Sequence, residues 1–142
     1  MRSPPRHSVS VAAAIIDDEG RVLATQRVDN GHWEPPGGVL ELEESVEDGV
    51  RREVLEETGL VVEVERLTGV YKNMTRGIVA LVFRCRAVGG SLCLTDEVRA
   101  SRWMSPAELS DSMTEAYAVR LLDALLDGPP RVRVHDGTAL LT

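Results

Sequence analysis

Ser45-Val46-Glu47-Asp48-Gly49-Val50-Arg51-Arg52-Glu53-Val54-Leu55-Glu56-Glu57-Thr58-Gly59 is the stretch whose reading decides the fold. Ser45 with Asp48 three residues later has the spacing of a capping box, and Gly59 supplies a stop beyond the last turn, so the spacing predicts a helix between them. Val46, Val50 and Val54 share one stripe at about 100° per residue, which lays the helix on a sheet. Glu53, Glu56 and Glu57 fall within an arc of about 100° beside that stripe and partly overlapping it, while Asp48, Arg51 and Arg52 lie opposite.

Three carboxylates in the last helical turn repel one another and the helix dipole, which is already negative there. A cation removes the conflict. Mg²⁺ or Mn²⁺ suits carboxylate and carbonyl oxygens, and zinc is not expected without a His or Cys beside the cluster. Arg52 can pair with Glu56 at i,i+4 and orient the glutamates from behind. The competing reading is a solvated acidic helix face.

Upstream, Val9–Ile16 and Val22–Arg27 are apolar strand-length runs around the turn Asp17–Gly20, which reads as a hairpin. Downstream, Val61–Tyr71, Ile78–Val88 and Arg99–Met104 read as strands. Ser105-Pro106 opens a short helical turn, and Thr114–Leu126 a second long helix with Met113, Tyr117, Leu121, Ala124 and Leu125 as its core stripe. Arg131–Thr142, with His135-Asp136-Gly137 inside it, reads as a small hairpin. This order implies an α/β fold, a mixed sheet covered by helices on both faces. At 142 residues the chain is expected to form a single domain, 1–142, with a core at about 9–126 and a C-terminal tail at 127–142.

The longest apolar run, Val9–Ile16, is far below the roughly 18 residues of a membrane span. Arg2 and Arg6 before it resemble a leader, but Pro4-Pro5 and the turn at Asp17 make it a first strand, so a cytoplasmic protein without a membrane partner is expected. The net charge of −7 argues against a nucleic-acid partner. Most of it sits between Glu41 and Glu57, where eight carboxylates face only Arg51 and Arg52. Cys85 and Cys93 read as free thiols. His7, His32 and His135 show no ligand spacing and read as solvated.

Gly38, five residues, Glu44, seven residues, then Arg52-Glu53-Val54-Leu55-Glu56-Glu57-Thr58-Gly59-Leu60 matches every fixed position of the Nudix box. Trp33-Glu34-Pro35-Pro36-Gly37-Gly38 is similar to that family's entry to the box, and Leu23-Ala24-Thr25-Gln26-Arg27 to its preceding strand. The resemblance runs over roughly residues 9 to 126. It implies an α/β/α sandwich and a Mg²⁺-dependent hydrolase (Mn²⁺ as an alternative) of nucleoside diphosphates linked to another moiety. It implies that Glu53, Glu56 and Glu57 hold metal with the Gly37 carbonyl, and that Glu44 and Arg52 support them. Family members take their base from the box or from a later loop, so Glu53 and Glu97 are both candidates.

Around the box, Arg27 can reach a phosphate and Trp33 can stack on a base; Tyr71, Lys72 and Arg76 lie where a substrate pocket would be. The expected partner is a small nucleotide-type molecule, with a homodimer left open. A nucleoside triphosphate is the leading substrate, because ADP-ribose hydrolases of the family often carry a proline where Thr75 stands; ADP-ribose or a nucleotide sugar is the alternative. An isoprenoid diphosphate isomerase needs a cysteine at the box entry, which neither Cys85 nor Cys93 supplies. A non-catalytic sensor has no need of the complete glutamate set.

Overall fold

Strand β1 (Ser8–Ile15) is buried over its C-terminal half, and the two cores of the protein lie on either side of it. The structure, a computed structural model, describes residues 2–142. After β1 come β2 (Val22–Arg27), β3 (Trp33–Glu34), β4 (Gly37–Val39), α1 (Val46–Thr58), β5 (Leu60–Asn73) and β6 (Ile78–Gly90). They are followed by β7 (Val98–Met104), α2 (Pro106–Ser112), α3 (Glu115–Ala124), β8 (Arg131–His135) and β9 (Leu140–Leu141).

Alternation along β1 sorts its side chains between the cores. Val11, Ala13 and Ile15 pack with Val50 and Val54 of α1 and with Phe83 and Cys85 of β6. Ala12 and Ala14 face the opposite core, with Tyr71, Val82, Leu109, Leu121 and Ala124. A six-stranded mixed sheet, in the order β4-β1-β6-β5-β8-β9, therefore carries α1 on one face and α3 on the other, alongside a separate antiparallel sheet β3-β2-β7. Burying Val50 and Val54 contributes about 1.5–3 kcal/mol each to holding α1 in place.

The expected β1–β2 hairpin does not form; only Ile16 and Val22 bridge the two runs. Both edges of β1 are taken by β4 and β6, and both edges of β2 by β3 and β7. Asp17 Oδ1 accepts the Glu19 and Arg21 N–H groups, so the turn exists and delivers the chain to a second sheet. At α1 the Ser45 hydroxyl accepts the Asp48 N–H at 3.2 Å, but the Asp48 carboxylate turns to Arg51, so only half of a capping box forms. Gly59 ends the helix at φ +82°, where its N–H donates to the Leu55 carbonyl.

The tail joins the large sheet: β8 runs parallel to β5, and β9 folds back on β8. This buries His135 to 1% exposure, against the expectation of a solvated histidine, because it closes β8 beside β5 and beneath α3. Tyr71 is also corrected. It is fully buried, and its hydroxyl donates to Asp123 Oδ2 at 2.7 Å, so it is a core residue rather than a substrate contact. Arg133 completes this link with two hydrogen bonds to Asp123, at 2.7 and 2.9 Å, tying β5, α3 and β8 together.

Asp123→Ala strands the Tyr71 hydroxyl inside the core and is expected to cost about 2–4 kcal/mol in urea unfolding. Tyr71→Phe removes the same hydroxyl without orphaning it and should cost about 1 kcal/mol. Equal small losses in both variants would show that the link does not hold α3 to the sheet.

Candidate functional site

Strand β4 brings Gly37 and Gly38 against β1 on one side and the last turns of α1 on the other. A Cβ on Gly37 would collide with the Val11 carbonyl and the Ala12 backbone; one on Gly38 would lie 2.6 Å from the Glu53 carboxylate. The Glu53 carboxylate thus rests on the bare Gly38 backbone. Glu57 Oε1 accepts the Gly37 N–H at 3.0 Å.

Arg52 fastens the other carboxylates. Its Nε and Nη2 donate to the two Glu44 oxygens at 2.8 and 2.7 Å, and its Nη1 to Glu53 at 2.9 Å and Glu56 at 3.2 Å. The guanidinium pulls the Glu44 carboxyl down to about 2. Burial pushes Glu53 above the usual carboxylate range against the pull of Arg52, with Glu56 and Glu97 adding to the rise. Glu57 goes further, to about 8: burial is the main cause, the Gly37 N–H opposes it, and the charges of Glu53 and Glu97 reinforce it.

The expected cluster is therefore partly assembled. Glu53 and Glu57 flank the glycines, whereas Glu56 is exposed and turned toward Arg52. Among the described residues, no three Asp, Glu, His or Cys side chains converge on one point. Glu97 is on the exposed loop before β7, its carbonyl accepting the Val28 N–H and its charge felt by both Glu53 and Glu57. The bare Gly38 backbone and the uncompensated Glu57 carboxylate fit a hard divalent cation.

A cleft leads away from these glycines. Its inner part, about 150 Å³, is bounded by Gly37, Gly38, Ala12, Ala80, Tyr117 and Arg120. Its outer part, about 610 Å³, takes in Arg76, Asp136 and Thr138, and the two share Arg27, Glu34, Asn73 and Tyr117. Arg27 is bound to Asp29 at 2.7 Å and lies 3.6 Å from Glu34. Trp33 lines a smaller cavity with Tyr117 and carries the Arg102 guanidinium 5.9 Å from its ring centre, so it lies apart from the cleft. Sequence reasoning missed Glu34, Asn73 and Arg120, and took Tyr117 for core. The available signal was a lone arginine beside the apolar stripe of α3, three residues after Tyr117.

Comparison with known proteins agrees with this geometry. The NUDIX domain family matches residues 6–125. A MutT-like protein of Streptomyces ambofaciens is 60% identical over 139 residues, covering 98% of this chain and 90% of that protein. An ADP-ribose pyrophosphatase of Methanocaldococcus jannaschii is 33% identical over 104 residues, covering 68% of this chain and 62% of that protein. The crystal structure of an ADP-ribose pyrophosphatase from Streptococcus suis superimposes with a TM-score of 0.78 at 26% identity, over 89% of this chain and 99% of that one. The chain belongs to the Nudix hydrolase family, whose members act on pyrophosphate bonds and generally use a divalent metal such as Mg²⁺. No helix among the described residues is long and apolar enough to cross a membrane.

The raised Glu57 carboxyl makes metal-free stability depend on pH. Between its ordinary 4.5 and about 8, the folded chain keeps a proton that the unfolded chain gives up. Stability from this group is complete below 4.5 and is lost as pH rises through 8, by up to about 1.4 kcal/mol per pH unit. Thermal melts in EDTA should therefore show wild type losing stability relative to Glu57→Gln from pH 5 to pH 8, with Mg²⁺ restoring it. Parallel curves for the two proteins would rule out an uncompensated Glu57.

Proposed function

We propose that this chain is a Mg²⁺-dependent pyrophosphohydrolase, with Mn²⁺ able to substitute, that cleaves a phosphoanhydride bond of (deoxy)nucleoside triphosphates. The observation that carries the reading is the half-buried Glu57 carboxylate, faced by Glu53 and Glu97, at the glycine end of a nucleotide-sized cleft. Glu53, Glu56, Glu57 and the Gly37 carbonyl would hold the cation, with Glu44 and Arg52 fixing the glutamates. A divalent cation there offsets phosphate charge and makes bound water more acidic.

The chain's own groups do the rest. Arg27 lines both the cleft and the cavity beside Glu97, where it can hold a phosphate between base pocket and carboxylates. Water adds at phosphorus, the bridging P–O bond breaks, and a carboxylate takes the proton. The Glu97 carboxylate makes no hydrogen bond or ion pair among the described residues, whereas Glu53 is committed to Arg52, and this favours Glu97 as base.

ADP-ribose is the second reading, favoured by the names of two of the relatives. The Thr75 N–H weighs against it: it donates to Asn73 Oδ1 at 3.0 Å, a bond that a proline at this position would lack. The cysteines do not suit an isomerase, since Cys85 is buried on β6 and Cys93 lies beside Gly59.

Turnover should vanish in EDTA, return with Mg²⁺ or Mn²⁺, and be faster with nucleoside triphosphates than with ADP-ribose; the reverse order would install the second reading. Glu97→Gln should lower kcat by about 100-fold or more while leaving KM and Mg²⁺ affinity nearly unchanged, and should remove the acidic limb of the pH–rate profile. That signature in Glu53→Gln, with a mild Glu97→Gln, would move the base to Glu53.

A further inference from the structure

Arg120 is a buried cation with no anion bonded to it. Its residue is 8% exposed and is bonded to no carboxylate among the described residues; Glu34, which shares the cleft, acts on it only through space. Its Nε is sealed from solvent with no hydrogen-bond partner. Nη2 lies 3.2 Å from His135 Nε2, but His135 Nδ1 already accepts the Gly137 N–H at 2.9 Å. A neutral imidazole has one acceptor nitrogen, and burial and the Arg120 charge both favour the neutral ring. Nε2 therefore carries the proton and offers the guanidinium nothing to bond. The faces of Tyr117 and Tyr71, at 4.7 and 5.6 Å, and the more distant charge of Glu34 are the compensation that remains.

Leaving a buried guanidinium unpaired is costly, and this one lines the inner part of the cleft beside the Tyr117 ring. The guanidinium fork only donates, so it suits a base carbonyl oxygen and leaves an amino group in the same place without a partner. We propose that Arg120 is a specificity-determining residue that donates to the carbonyl edge of a nucleobase stacked near Tyr117. It would select bases bearing a keto oxygen (guanine, uracil, thymine) over those with an amino group at that position, adenine and cytosine. The inference rests on the nucleotide reading above but concerns binding of the base, not hydrolysis.

The test is binding of GMP, UMP, AMP and CMP by isothermal titration in Mg²⁺, with a thermal melt of each protein. Wild type should bind the keto nucleotides about 10-fold or more tighter than the amino ones, as one hydrogen bond from a charged donor implies. Arg120→Met should abolish this preference while keeping or raising Tm, because it removes an unpaired buried charge. Arg120→Lys keeps the cation without the fork and should lose most of the preference. An absent preference in wild type, an equal loss for all four nucleotides (a phosphate contact), or full preference retained by lysine would each overturn the assignment. An Arg120→Met protein that unfolds or melts much lower would instead make Arg120 a structural cation–π residue. A keto preference abolished in Arg120→Met stands whether or not triphosphates are turned over, so the two readings fail separately.

Discussion

The close approach of α1 to the Gly37–Gly38 backbone is the constraint on which the site depends. No side chain fits there: Gly37 is pressed against β1, and the Glu53 carboxylate occupies the place of a Gly38 Cβ. Val50 and Val54 set the height of the helix over the sheet, and β4 reaches it only because its first two residues are bare. The arrangement puts two carboxylates and two backbone amides within one small volume. A Cβ at either glycine would move the helix and the carboxylates together.

Charge is distributed unevenly around that contact. Arg52 satisfies Glu44 with two hydrogen bonds and shares its remaining donors with Glu53 and Glu56, so the acidic face of α1 is held as a network rather than as repelling singles. Glu57 has only the Gly37 N–H, and Arg120 has only aromatic faces and a mismatched histidine. One is a carboxyl that keeps its proton in the metal-free fold, the other a buried cation with no anion bonded to it. Arg120 lines the cleft and Glu57 is bonded to the Gly37 that bounds it, yet the two do not pair. Unpaired groups of this kind cost stability, and they mark where the fold leaves work for a ligand.

What was legible in the sequence was what local spacing determines. The helix over residues 46–58, its valine stripe and its Gly59 stop follow from periodicity, and the fixed glycine and glutamate spacing points to the family. Long-range placement was not legible. The runs around Asp17–Gly20 look like a hairpin because they are adjacent, but edge pairing with β4, β6, β3 and β7 decides their partners. Tyr71 and His135 carry the residue types of a pocket, and only the docking of β8 beside β5 shows both to be buried. Arg120 gains its meaning from the same event, since its surroundings come from α3, β5 and β8 at once. Glu56 is a different case: the i,i+4 pair with Arg52 that the spacing predicts does form, on the exposed face of the helix.

The two faces of β1 divide the labour of the cleft. Chemistry-bearing groups come from α1 and β4, packed against the side of Val11 and Ala13, while the aromatic ring and the buried arginine come from α3 on the side of Ala12 and Ala14. The strand between them presents Ala12, Ala13 and Ala14 in succession, all buried. Residues 117 and 120 stand on α3, outside the contact of β4 with α1 that holds Gly37, Gly38, Glu53 and Glu57. On this architecture the box carboxylates and the ring and arginine that wall the inner cleft stand on different elements. A box that matches at every fixed position therefore identifies the family and says nothing of the α3 side of the cleft.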